Sequence, residues 1–150
     1  MSRSIARIAA MQMIFERISG GQGGEETLKM VYDELREQKT PWSAEVGADE
    51  PNREDRAYIA RAFDGVVSHL EELDGIIEKT AKGWTIERMS LVDLTILRLA
   101  LWEILYEPKV PDNVAVAEAL ELTERYSDPE DKPFVNGILG TVVRGKEGGQ

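Results

Sequence analysis

The sequence predicts an all-α fold, a bundle of six to seven helices in two packed subdomains. Three observations carry this. Apolar residues recur at helical spacing through most of the 150 residues. One segment, from Ser90 to Tyr106, is apolar around nearly its whole circumference, as a central buried helix is. The strongest hairpin signal in the chain, Asn136-Gly137, fails on geometry. A turn there leaves only Phe134 and Val135 for the first strand before Pro133 interrupts it, whereas strands run about five residues.

In chain order, Ile5, Ile8, Ala9, Gln12, Met13 and Phe15 fit a first helix that ends near "SGGQGG". A second runs through "EETLKMVYDELREQ", with Leu28, Val31, Tyr32 and Leu35 on one face. "KTPWSAEVGADEPN" reads as a loop. Asn52, three residues before Asp55, is placed as the N-cap of a long third helix. Its stripe includes Ile59, Phe63, Val66, Val67, Leu70 and Leu73, with a bend or boundary at Asp74-Gly75. Ser90 caps the central helix, which Pro108 and Pro111 end. "DNVAVAEALELTERY" is a further amphipathic helix. The halves are expected to divide near residue 80, as about 1–80 and 81–150 of a single domain.

The closing segment "PFVNGILGTVV" separates completely on a helix. Phe134, Val135, Ile138, Leu139, Val142 and Val143 share one half-circle; Asn136, Gly137, Gly140, Thr141 and Arg144 fill the other. Two interior glycines each cost about 1 kcal/mol against Ala. Either a neighbouring helix packs close to them, or they keep open a contact surface of Asn136, Gly137 and the ring edge of Phe134.

Composition narrows the function. The chain lacks cysteine, which removes disulfides and thiolate metal sites. No signal peptide or run of ~18 apolar residues is present, which implies a soluble cytoplasmic protein. The net charge of −10 disfavours general nucleic-acid affinity. His69, the single histidine, has no second histidine or cysteine to complete a metal site and reads as a surface or half-buried structural residue. "GGQGG" lacks the Gly-Lys-Ser/Thr continuation of a phosphate loop. Glu118, Glu121 and Glu124 read as a solvated face rather than as acid–base groups. Catalysis, cofactors and metals are therefore not expected. Arg98, inside the apolar central helix, requires a carboxylate partner, with Glu118 or Glu121 as the candidates. Arg3 and Arg7, four apart on the first helix, are expected to project from one face, where arginines contact phosphates or stack on bases.

Four stretches, "IARIAAMQMIF", "VDLTILRLALWEI", "VPDNVAVAEALEL" and "KPFVNGILG", resemble the NusB family of bacterial transcription antitermination factors in order and spacing, over essentially the whole chain. The resemblance implies two small helical bundles, no enzymatic activity, and binding of boxA RNA jointly with NusE, a small-subunit ribosomal protein. It also implies indirect coupling to RNA polymerase and other Nus factors, with no membrane. By position it implies an RNA surface of Arg3, Arg7, Gln12, Phe15, Glu130, Lys132, Phe134, Asn136 and Gly137. The implied protein-partner surface is Glu87, Asp93 and Glu103. The chain departs from the family pattern where Ser4 and Ile5 break the basic start, at Pro133 (Lys132 is adjacent), and at Ala117. Two alternatives remain open: an accessory domain of a ribosomal RNA cytosine methyltransferase, and a protein-binding module, such as a homodimer, that does not bind RNA.

Overall fold

The computed structural model describes residues 3–21, 29–30, 33 and 52–147. The proposed second helix and the loop after it fall largely outside the described residues. So do "QGG" of the glycine run and the side chain of Arg3. The described helices are α1 (Arg3–Ile18), α2 (Arg53–Ser68), α3 (Leu70–Thr80), α4 (Leu91–Tyr106), α5 (Asp112–Tyr126) and α6 (Lys132–Glu147). The chain forms two compact units, 1–67 and 68–150.

In the first unit, α1 buries Ile5, Ala6, Ile8, Ala9, Ala10, Met11, Met13 and Ile14, which together occupy more than one face. Arg7 is buried among them at 3% exposure. Its guanidinium lies 5.8 Å from the ring centroid of Tyr58, a fully buried residue of α2. This corrects the expectation that Arg7 projects into solvent: α1 is covered on the side that carries it, and the cation rests on an aromatic face. Asn52 caps α2 as its sequence position suggests, its Oδ1 accepting from the Asp55 N–H at 2.8 Å.

The second unit is organised by α4. Ser90 Oγ accepts from the Asp93 N–H at 3.0 Å, which fixes the start of the helix. From Asp93 to Ile104 every residue of α4 is buried. Such a helix needs neighbours on all sides, and α4 packs on α3, α5 and α6, while α6 also packs on α3 and α5. Each Leu or Ile so buried contributes about 1.5–3 kcal/mol.

The long third helix expected from sequence is two helices. The break is at His69 (φ −111°, ψ 17°), not at Asp74-Gly75. Contacts with α4 account for the difference. The His69 ring stacks on Tyr106, with centroids 4.3 Å apart and planes at 29°. Five residues later Asp74 forms a two-pronged pair with Arg98, Nε–Oδ1 2.7 Å and Nη2–Oδ2 2.9 Å. The partner of Arg98 is thus Asp74 rather than Glu118 or Glu121; Glu121 pairs with Arg125 on its own helix at 3.3 Å. Because it packs on α4, α3 belongs with the second unit, whereas the sequence reading grouped it with the first half.

The final segment is helical, and its two faces are as the sequence divides them. Val135, Ile138 and Leu139 are buried; Asn136, Gly137, Thr141 and Arg144 are exposed. Near its end, Lys146 Nζ donates to the Ile104 carbonyl at 2.8 Å and pairs with Asp112 at 3.1 Å. That carbonyl lies in the last turn of α4, where a cation is favourable.

Candidate nucleic-acid interface

The start of α6 is built by its connector. After α5, Asp128 Oδ1 accepts from the Glu130 N–H at 2.9 Å, and Pro129–Asp131 form a single 3₁₀ turn. The chain then enters α6 with Phe134 half-buried and Asn136 and Gly137 exposed. Among the described residues, a methyl group built at Gly137 would meet nothing within 4 Å, so no described helix is seated there. Glu130 is exposed, and Lys132 pairs with Glu124 at 3.2 Å. Glu130, Lys132 and Asn136 border an open groove of about 850 Å³ between α5 and α6, which Ala117, Leu120 and Glu121 also line. The charge along it is predominantly acidic, and its lysine is already held by a carboxylate.

In the first unit, Gln12 and Phe15 are half-buried, three apart and therefore on neighbouring positions of one α1 face. Arg7 lies inside, as described above. The residues named from sequence thus gather in two groups, Gln12 and Phe15 on α1, and Glu130, Lys132, Phe134, Asn136 and Gly137 at the α6 start.

The three acids implied as a protein-partner surface do not share an environment. Glu87 is exposed, in the 3₁₀ turn Ile86–Arg88. Glu103 is 2% exposed and Asp93 is also buried, so neither presents a free carboxylate to a partner in this arrangement. Both lie on α4, which is enclosed on all sides. Asp93 is engaged internally: Ser127 Oγ donates to its Oδ1 at 2.6 Å. Its carboxyl group also bonds to that of Asp131. The hydrogen bond to Asp93, with partial burial and the charges of Asp93, Asp128 and Glu130, pushes Asp131 up to about 6.

Trp84, Arg88 and Asp131, which the sequence reading did not single out, lie beside Phe134. Gly83 adopts φ +86°, a conformation side chains rarely take, and the chain turns there to present Trp84. The indole is 51% exposed and meets the Phe134 ring edge-on, centroids 5.7 Å apart. A glycine before an exposed tryptophan was the available signal. Among the described residues no His/Cys/Asp/Glu group could hold a metal ion, and no helix is long and apolar enough to cross a membrane.

The sequence model of the NusB family matches residues 3–144. The chain belongs to the NusB family. It is 39% identical over 148 residues to the transcription antitermination protein NusB of Symbiobacterium thermophilum, covering 99% of this chain and 93% of that protein. Its fold is similar to that of NusB from T. maritima, with a TM-score of 0.76 at 27% identity over 96% of this chain and 92% of the other. It is also similar to a structure of the antitermination factors NusB and NusE in complex with double-stranded RNA, with a TM-score of 0.74 at 26% identity over 95% and 96% of the two chains. NusB-family proteins are antitermination factors rather than enzymes. The six helices described here follow that family's fold.

Proposed function

We propose that this protein is a cytoplasmic transcription antitermination factor that binds the boxA segment of nascent ribosomal RNA jointly with NusE. In that role it helps couple the RNA to RNA polymerase and other Nus factors, so that termination is suppressed. The observation that carries this reading is full-length similarity to NusB proteins together with the open Phe134-Asn136-Gly137 surface at the start of α6. Phe134 offers a ring edge and Asn136 an amide for unstacked bases, the usual means of reading single-stranded RNA.

Electrostatics define the division of labour. Residues 68–150 hold nine Lys/Arg against sixteen Asp/Glu, a net of −7. Phosphate attraction is therefore weak on this unit, and affinity must come from base contacts and from a basic partner that bridges protein and RNA. RNA binding is expected to be weak alone and strengthened by NusE. Titrating labelled boxA-type RNA at one fixed salt concentration, with and without NusE, tests this; equal affinity in the two titrations counts against it.

A further inference from the structure

A cavity of about 320 Å³ beside the start of α6 is lined by Trp84, Arg88, Asp93, Asp131 and Phe134. It lies on the face that carries Asp93, one of the acids implied as a contact of the protein partner. The two carboxyl groups bond to each other. Such a bond exists only while one proton is shared between them. We propose that a single Lys or Arg side chain of the basic protein partner enters this cavity and replaces the shared proton, which leaves to solvent as the complex forms. The inference rests on the reading that the protein works with NusE, and concerns the regulation of that contact.

Charge selects the occupant. With the proton in place, the carboxyl pair carries one negative charge and the Arg88 guanidinium one positive charge, so the cavity is balanced. Without it, one negative charge is left over, and one added cation restores the balance. An RNA phosphate would add to the negative charge, and an uncharged base would leave the pair its proton. Asp128 and Glu130, both exposed on the same connector, also favour a cation. From the helices packed on that connector, α5 brings Glu121 and Glu124 and α6 brings Lys132. These charges are already matched, Glu124 with Lys132 at 3.2 Å and Glu121 with Arg125 at 3.3 Å. Asp93 is 4% exposed and accepts from Ser127 at 2.6 Å, so it stays in place as a positioning residue. Asp131 is half-buried and is the carboxyl group that an arriving side chain meets. The half-exposed Trp84 indole, edge-on to Phe134, offers a ring face to the same cation. Asp131 titrates near 6 in the free protein. A cation in the cavity favours the ionised pair, so partner binding is weak below that pH and strengthens as pH rises through it.

The test titrates the full chain with NusE, without RNA, between pH 5 and 7.5 at one salt concentration. Wild type should bind roughly tenfold more tightly at pH 7 than at pH 5, the linkage for one group near 6 that gives up its proton on binding. Calorimetry in two buffers of different ionisation enthalpy should show about one proton released per complex at pH 5 and almost none at pH 7.5. Asp131→Asn keeps a donor to Asp93 but has no proton to give up. It should bind NusE at the weak, low-pH level throughout and lose that release, while its urea melt at pH 5 matches the wild type. If wild type and Asp131→Asn respond to pH identically, the partner displaces no proton here, and the inference is overturned while the NusE reading stands. If the difference between them appears in RNA titrations and not with NusE, the cavity serves RNA and the proposal is likewise overturned. If NusE binds at no pH, the partner reading fails and takes this inference with it.

Discussion

Substituting Gly137 by alanine isolates what the glycine does. The residue lies inside α6, where Gly is about 1 kcal/mol poorer than Ala as a helix former. Among the described residues an added methyl group would meet nothing within 4 Å, so no overpacking term from them opposes the gain. The side-chain bond from Thr141 Oγ1 to the Gly137 carbonyl at 2.8 Å involves only backbone on the Gly137 side and survives the change. Gly137→Ala should therefore stabilise the protein by up to ~1 kcal/mol, a rise of roughly 2–4 °C in Tm for a chain of this size. In urea, the midpoint should rise with the slope unchanged. The same variant should weaken the RNA complex, because the methyl group would stand where a base or ribose approaches. Gly140 is a useful contrast. There the methyl would sit 3.1 Å from Arg144 Nη1, so that flexible side chain must move first. A loss of 1–3 kcal/mol in Gly137→Ala would mean that something packs against the glycine, and the open-surface reasoning would fail.

Three further predictions concern stability. Arg98→Ala should cost about 3 kcal/mol, the low end for a broken buried pair because the Asp74 side chain keeps 23% exposure; Arg98→Met should lose less, since it leaves a smaller cavity. Urea melts in which both variants match wild type would remove the pair from any stabilising role. Ser90→Ala should cost about 1 kcal/mol through loss of the cap on Asp93 N–H, and Ser90→Gly only a few tenths; equal losses in the same melts would place the effect elsewhere. Asp131 titrates near 6 in the fold against an ordinary 3.8, so the folded state holds its proton more tightly. The associated stability is present below about pH 4 and is lost as pH rises through about 6. Asp131→Asn still donates to Asp93 and does not titrate, so its stability relative to wild type should increase between pH 4 and 7; parallel pH profiles would refute the shared-proton pair.

Much of the fold was legible because helical spacing and capping are local. Asn52, Ser90 and the two faces of "FVNGILG" could be read from neighbours within a few residues. What could not be read depends on tertiary contacts. The break at His69 carries no glycine or proline and is set by stacking on Tyr106, a residue distant in sequence. Without that break, Asp74 could not be recognised as the partner of Arg98. For the candidate site, residue type misled in one consistent way. Arg7, Asp93 and Glu103 are charged and were assigned to surfaces, yet each is buried. Burial of a charge depends on what covers the helix face, and that is invisible in a local pattern. The open state of Gly137, by contrast, agreed with one of the two readings available from its helical position.

The encirclement of α4 has a consequence for synthesis. Its neighbours are completed in chain order, α3 before it and α5 after it, and α6 closes the remaining side last. While the ribosome is still making residues 132–147, a helix apolar around its circumference has one flank uncovered. That flank is a site for chaperone capture or self-association during the seconds before the final helix emerges. Most of the later contacts join helices adjacent in sequence, so folding should follow rapidly once that helix is free. Nascent chains stalled before Lys132 should therefore bind a hydrophobic dye or a holdase, and chains released after Lys146 should not.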